Sequence, residues 1–330
     1  MANLRFVDAL REGIAEEMRA DPRVMILGED VAVGGAFGVT RGLVDEFGHG
    51  RVINTPISED TIMGIAVGAA VAGKRPIVEI MFVDFITLAM NQLVNHAAKV
   101  HFMSGGQLAV PMVIRVQQGA QGGWGSQHSQ SLEAWFAHVP GLKAVAPGSA
   151  ADANRLIRAS IRDDSPVVFI EHRGLYFRHD PDGLEPGESV LGKAHIVREG
   201  SDITLVSYSR MLTECLEAAE DLAGKGISVE VIDLRSLVPL DIDTVIESVR
   251  KTNRLAVAHE AVVQGGLGAE IAARVQEMAM DYLDAPVLRI GAPYTPPPAS
   301  PKLERAFVPD RAGIAARLHR MLSYSKEEGS

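Results

Sequence analysis

One stretch constrains this chain more than any other: Ile57-Ser58-Glu59-Asp60-Thr61-Ile62-Met63-Gly64-Ile65-Ala66-Val67-Gly68-Ala69-Ala70. It follows a strand-like run, Arg51-Val52-Ile53-Asn54, and opens with a carboxylate at the strand–helix junction. The small and aliphatic residues after it predict a buried helix. Glycine inside a helix costs about 1 kcal/mol relative to alanine, so a helix holding Gly64 and Gly68 needs a reason for them. Gly64, Gly68 and Ala72 recur every four residues and share one helical face, smooth enough for another backbone to come close. Tight packing inside the domain would explain the glycines alone. It would not explain Glu59, because a carboxylate entering an apolar helix is expected to be partnered, shifted in pKa or functional.

Strands and helices alternate around this stretch. Phe6, Val7, Leu10, Ile14 and Met18 fall at helical spacing. The strand Val24-Met25-Ile26-Leu27 ends at Gly28-Glu29-Asp30, which puts two acids at a strand's carboxyl end, the edge where open α/β sheets bind ligands. A helix cap or solvated turn is the plainer explanation of such a pair. Gly34-Gly35-Ala36-Phe37-Gly38-Val39 carries no charge that could hold phosphate and reads as a lid or turn. A strand over 75–82 precedes one long helix marked by Phe85, Leu88, Ala89, Gln92, Leu93 and His96. After a buried strand over 110–116, the glycine-rich run from Gly119 to Ser129 leads towards a helix start that could cradle a ligand. A lone histidine there, His128, is on bland grounds a helix cap. A strand at 144–146, a helix over 150–162 and a strand at 167–170 complete a first domain, 1–175. The turn-rich 176–199, with Asp182-Gly183 and Glu185-Pro186-Gly187, reads as a linker. A second domain, 200–330, brings strands at 203–207, 229–233, 255–258 and 287–290, with helices over 212–223, 265–280 and 309–322; its tail, Lys326-Glu327-Glu328-Gly329-Ser330, is expected to fray. The predicted class is α/β, two domains each built on a parallel sheet.

Composition narrows the function. A formal charge of −10 argues against a nucleic-acid partner. No apolar run approaches the ~18 residues that span a bilayer, so no membrane partner is expected. Met1-Ala2-Asn3-Leu4-Arg5-Phe6-Val7-Asp8 has no signal-type apolar core, and a cytoplasmic location is the expectation. The single cysteine, Cys215, excludes an internal disulfide and lies in a helical pattern that suits packing. The ten histidines show no close zinc spacing. Gly265-Gly266-Leu267-Gly268-Ala269-Glu270 opens a helix after a strand but lacks the third glycine at the right offset, so an NAD-binding oxidoreductase is disfavoured.

The spacing from Glu59 to Gly64-Ile65 and Gly68-Ala69 resembles the pyrimidine-side motif of thiamin diphosphate enzymes. With Asn54-Thr55-Pro56-Ile57-Ser58-Glu59, the chain from about Phe6 to about Leu322 resembles the β chain of the thiamin-dependent decarboxylating component of 2-oxo acid dehydrogenase complexes. The resemblance implies a pyrimidine-binding domain followed by a transketolase C-terminal-like domain. It implies that Glu59 shares a proton with the aminopyrimidine nitrogen, that Phe85 stacks on that ring and that Ile57 touches it. On bland grounds Phe85 is a helix core residue and Ile57 a strand-end apolar residue. By the same resemblance Glu29 lines an acidic route between paired active sites, and His128 stands at the active-site entrance. A potassium ion on backbone carbonyls of Met112, Ser160, Ile161, Asp163 and Ser165 is also implied. The chain has no Gly-Asp-Gly, the motif that holds magnesium diphosphate in such enzymes. An α subunit must then bring Mg2+ and the diphosphate half of the site, in a heterotetramer of two α and two β chains that serves a lipoyl acyltransferase core. Pyruvate is the first substrate expected, with branched-chain 2-oxo acids and acetoin close behind; Phe82-Val83-Asp84-Phe85 and Glu171-His172 lean towards the acetoin relatives. A non-catalytic interaction subunit is the reading of another class. Asp60 is expected to point outward as a first-turn acid.

Overall fold

Runs of apolar residues long enough to be buried on both faces need helices on both sides, and the strands of this chain follow that rule. The structure, a computed structural model, describes residues 4–180 and 189–324. Part of the expected linker and the tail 325–330 lie outside the described residues. In chain order the elements are β1 (Leu4–Arg5), α1 (Phe6–Ala20), β2 (Val24–Glu29), α2 (Leu43–Phe47), β3 (Val52–Thr55), α3 (Glu59–Val71), β4 (Arg75–Ile80), α4 (Ile86–Asn91), α5 (Val100–Met103), β5 (Val113–Gln118), α6 (Glu133–Ala137), β6 (Lys143–Val145), α7 (Ala150–Arg162), β7 (Val167–His172) and β8 (His179–Asp180). They continue with β9 (His195–Arg198), β10 (Ile203–Ser207), α8 (Met211–Ala223), β11 (Val229–Asp233), β12 (Ser236–Val238), α9 (Ile242–Thr252), β13 (Leu255–Val262), α10 (Leu267–Ala279), β14 (Leu288–Ala292), α11 (Pro301–Phe307) and α12 (Arg311–Leu322).

Two units share these elements. The first comprises Met1–Gln118, Trp135–Leu191 and Leu237–Pro239; the second comprises Gly119–Ala134, Gly192–Ser236 and Leu240–Ser330. The first carries a seven-stranded sheet in the order β12-β6-β7-β5-β4-β2-β3. Its pairs from β6 through β3 are parallel. On one face α1 packs against α7. A side chain at Gly13 would come within 2.7 Å of Ile157, so glycine lets the two helices close up. Their contact buries Glu17 under Arg158 and Arg162, and Asn154 donates to the Ala9 carbonyl at 3.0 Å. Ser149 caps α7 by accepting the Asp152 N–H.

The second unit holds a five-stranded sheet, β14-β13-β10-β11-β9. Its strands are parallel except β9, which runs antiparallel to β11. β1 and β8 form a separate antiparallel ribbon. Both main sheets are thus built on parallel strands as expected, with β9 and the β1–β8 ribbon as antiparallel additions. β9 precedes the first strand–helix–strand crossover of its sheet, so no crossover fixes its direction. The glycines of the failed dinucleotide fingerprint have a packing role: a Cβ at Gly266 would lie 2.7 Å from the His259 ring, and one at Gly268 would lie 3.0 Å from it.

The long helix expected from Phe85 to His96 is corrected. Val83–Phe85 is a 3-10 turn, α4 follows, and Gln92–Ala97 widens into a π-helical segment. Gln92, where the winding changes, lies under Gly64 of α3, 3.5 Å from where a Cβ would sit.

Candidate active site

In the first unit, β4, β2 and β3 are neighbours, and their carboxyl ends deliver three of the expected site residues. Glu29 is the last residue of β2 and stands in register with Thr55, the last of β3. Four residues later Glu59 begins α3, and β4 leads through Phe82 into the turn that ends at Phe85. This is the ligand edge of a parallel sheet. Glu29 has its pKa raised, first by burial and then by the charges of Asp30 and Glu59. The two carboxylates therefore feel one another across adjacent strand ends. The loop after β2 is tied back by Asn54, whose side-chain oxygen accepts the Ala32 N–H at 3.4 Å.

Ser58, at the cap position of α3, turns its hydroxyl to the Pro56 carbonyl instead of the helix N–H groups. The first turn carries Glu59, half-buried, and Asp60, exposed, where negative charge is favoured by the helix dipole. Asp60 meets Gln92 at 3.4 Å, as suits an outward acid. Ile57 is 71% exposed, a large apolar surface beside Glu59. Phe85 is half-buried and braced edge-on by Phe82, ring centroids 5.4 Å apart. Thr55 Oγ1 is buried without a hydrogen-bond partner. A protonatable carboxyl, an exposed apolar side chain, a braced aromatic ring and an unused hydroxyl fit a flat, weakly basic heterocycle. They match the pyrimidine half of thiamin diphosphate.

Of the carbonyls implied for potassium, those of Ile161 and Asp163 share one partner where α7 ends. Arg75 Nη1 donates to the Ile161 carbonyl at 2.9 Å and to the Asp163 carbonyl at 3.1 Å. The Met112 carbonyl accepts the Val167 N–H and that of Ser160 accepts the Asp163 N–H. Ser165 gives its N–H to Asp163, whose carboxylate also meets Lys143 at 2.5 Å. The Ile161 and Asp163 carbonyls thus already serve a cation, the Arg75 guanidinium.

His128 belongs to the second unit. The helix start expected around it is absent; His128 lies on a turn, its N–H donating to the Gly125 carbonyl at 3.2 Å, and α6 starts only at Glu133. Its ring stands 6.3 Å from that of Trp124. The loop has side-chain anchors that the sequence reading passed over. Glu260 accepts the Ala120 N–H, and Glu133 accepts the Tyr208 hydroxyl at 2.6 Å. Burial, then the Glu133 charge, holds the Tyr208 pKa well above its usual value. The His259 ring stacks on Tyr208 at 6.4 Å. These anchors lie far away in sequence, and the only local signal for them was an acid or tyrosine inside an apolar strand.

Glu171 and His172 prove to be structural. Arg115 forks onto Glu171 at 2.7 and 2.8 Å and onto Glu79 at 2.6 Å, all three buried, and the Tyr176 hydroxyl joins Glu171. Burial raises the Glu79 pKa, with Arg115 opposing. His172 accepts the Gly174 N–H at 3.0 Å. This pair therefore gives no pointer to a substrate.

Comparison with known proteins agrees with the geometry. The family described as transketolase, pyrimidine binding domain, matches residues 2–178, and that described as transketolase, C-terminal domain, matches residues 192–314. The pyruvate dehydrogenase E1 component subunit beta of Rhizobium meliloti (strain 1021) is 46% identical over 95% of this chain and 69% of its own length. The corresponding mitochondrial protein of Dictyostelium discoideum is 44% identical over 97% of this chain and 91% of its own. That of Rickettsia felis is 46% identical over 96% and 98%. Among solved structures, a split-gene transketolase in an inactive beta4 tetramer superposes with a TM-score of 0.78 at 21% identity, covering 97% of this chain and 98% of its own, a likeness of fold. Two transketolase-type domains in this order, with identity of this level along nearly the whole chain, place the protein in the family of pyruvate dehydrogenase E1 component beta subunits.

Proposed function

We propose that this chain is the β subunit of a thiamin diphosphate-dependent 2-oxo acid dehydrogenase, that its substrate is pyruvate, and that it turns over only with an α subunit. The observation that carries the reading is Glu59, a half-buried acid heading a helix at the ligand edge of the sheet, electrostatically joined to Glu29. The names of the relatives support pyruvate over acetoin and branched-chain acids. Thiamin diphosphate supplies, when bound, a thiazolium carbon that adds to the 2-oxo acid and lets carbon dioxide leave.

The chain's own residues set the terms for that chemistry. Glu59 holds a proton between its carboxyl oxygen and the pyrimidine nitrogen, a role that needs an acid because an amide cannot pass the proton on. Phe85 offers its ring face and Ile57 its apolar side chain to the same heterocycle. Glu29, with its raised pKa, retains a proton more readily than a free carboxyl and so suits proton storage beside Glu59. His128 guards substrate entry. Potassium would use the remaining lone pairs of the Met112, Ser160, Ile161, Asp163 and Ser165 carbonyls and lock the end of α7. The chain lacks Gly-Asp-Gly, so Mg2+ and the diphosphate fall to the α subunit, in a heterotetramer of two α and two β chains. The acyl group passes to a lipoyl group of an acyltransferase core.

The test is reconstitution. Alone, the chain should not decarboxylate pyruvate with an artificial electron acceptor; mixed with its α partner it should, with branched-chain 2-oxo acids and acetoin poorer. Full activity of the isolated chain would sink the shared site, and preference for another substrate would reassign it. An assembled complex with no decarboxylation at all would favour a non-catalytic interaction subunit.

A further inference from the structure

His128 lies on a loop, and the loop is held by a buried carboxylate from α11. Glu304 is only 8% exposed. Its Oε2 accepts the Gly122 N–H at 3.1 Å and the Gly123 N–H at 3.2 Å, while Oε1 accepts the Gly123 N–H at 3.1 Å. Successive backbone N–H groups turned onto one anion form a nest, and hydrogen bonds to a charged acceptor are among the stronger ones. Gly123 adopts φ +72, and a Cβ there would stand 2.7 Å from the Ala299 carbonyl oxygen, so the nest closes only over glycine. Three residues further on, the Ser126 hydroxyl donates to the Pro297 carbonyl at 2.9 Å. The Gly125 carbonyl, lying between those two fixings, accepts the His128 N–H. The segment 297–304 thus clasps the loop immediately before His128.

We propose that Glu304 is a positioning residue for His128. It touches no reacting atom. It fixes the backbone from Gly122 to Gly125, and through the Gly125 carbonyl it sets where the imidazole stands. The proposal rests on the role given to His128 above, and it adds the residue that makes that role possible. Loss of the carboxylate should leave the chain folded and His128 present but wandering. Misplacement of a working group by about 1 Å costs up to about 10²-fold in rate.

The test combines hydrogen exchange with kinetics on the full-length chain assembled with its α partner. In Glu304→Ala, amide exchange across 119–130 should speed up about tenfold or more. Turnover should fall about 10–100-fold while KM for the 2-oxo acid moves less than about twofold. Glu304→Gln keeps one carbonyl oxygen for the two N–H groups and should recover most of both losses. His128→Ala should lose at least as much turnover as Glu304→Ala, and the double variant should lose no more than His128→Ala alone. Unchanged exchange in Glu304→Ala overturns the clasp. Faster exchange with turnover within about twofold of wild type, while His128→Ala is impaired, overturns the positioning role. A wild-type rate in His128→Ala removes the role of His128 itself and the positioning role with it, a result distinct from the other two. Should Glu304→Ala not fold, Glu304→Gln and the exposed Ser126→Ala carry the same comparisons with smaller losses.

Discussion

Glu59 stands at the first residue of α3, four residues beyond the end of β3, whereas His128 sits in a stretch with no regular element between Gln118 and Glu133. The first is placed by backbone hydrogen bonding: a parallel strand ends, a helix begins, and the side chain at the junction faces the edge where ligands bind. The second is placed by side chains that reach its backbone, Glu260 at Ala120 and Glu304 at Gly122 and Gly123. A residue held by secondary structure can be changed without disturbing its surroundings. A residue held by buried polar contacts moves when those contacts are lost.

The largest effect should come from Glu59→Gln. The amide is nearly isosteric and can still hydrogen-bond, but it cannot relay a proton. Loss of such an acid–base group costs roughly 10²–10⁴ in rate. Deuterium exchange at the thiazolium carbon of the bound cofactor and pyruvate decarboxylation, both measured in the reconstituted complex, should slow together, with assembly and melting temperature unchanged. A variant within about threefold of wild type, well under 1 kcal/mol of transition-state energy, would show that Glu59 is not the activating acid.

The first unit also has a polar framework, and it should respond like the loop anchors. Arg115→Met would leave Glu79 and Glu171 buried without their cation. Breaking a buried pair in this way costs about 3–5 kcal/mol. Chemical denaturation of the isolated chain should register that loss. A change under about 1 kcal/mol would mean that the two carboxylates take up protons or water without penalty, and that the framework contributes little.

The comparison also marks what was legible in the sequence. The site on the strand ends could be read because Glu59, Glu29 and Phe85 lie next to the apolar runs that make β3, β2 and β4, and period and turn signals are local. α7, β10 and β11 fall where their apolar patterns placed them. The clasp on His128 could not be read, since Glu304 lies 182 positions from Gly122 and nothing local marks it as a partner. Arg115 was hidden in the same way: in Val113-Ile114-Arg115-Val116 it is one charge within a buried strand, and its partners come from two neighbouring strands. The π-helical turn at Gln92–Ala97 was missed because its residues keep the apolar spacing of an ordinary helix.

Protonation gives a gentler probe of the second unit. Burial lowers the His259 pKa from the ordinary 6.5, with Glu133 opposing and Arg289 assisting. The folded state then prefers the neutral ring, while the unfolded chain takes up a proton near pH 6.5. Stability is therefore fully present above that pH and declines as pH falls from it towards the lowered folded value. His259→Asn should remove this part of the decline, visible as a flatter dependence of the denaturation midpoint on pH. Parallel curves for variant and wild type would show that His259 titrates alike in both states.

The smallest effect should arise at Gly68, and there the two kinds of placement can be separated within one helix. The expected smooth face lies open: Gly68 and Ala72 are exposed, Ile65 is 54% exposed, and a Cβ at Gly68 would meet nothing within 4 Å. For the isolated chain, Gly68→Ala therefore removes only backbone freedom and should stabilise it by about 0.5–1 kcal/mol. Gly68→Leu should also fold, since leucine is a good helix former with open space ahead of it. In the assembled enzyme the outcome should reverse if this face receives a partner backbone, because a side chain of that size overpacks a close contact. Melting of the isolated variants and size-exclusion with the α subunit give the two readings. Stable folding with lost assembly for Gly68→Leu would locate the reason for the glycine outside the chain. Normal assembly of that variant would mean that neither the fold nor a partner needs glycine at this position.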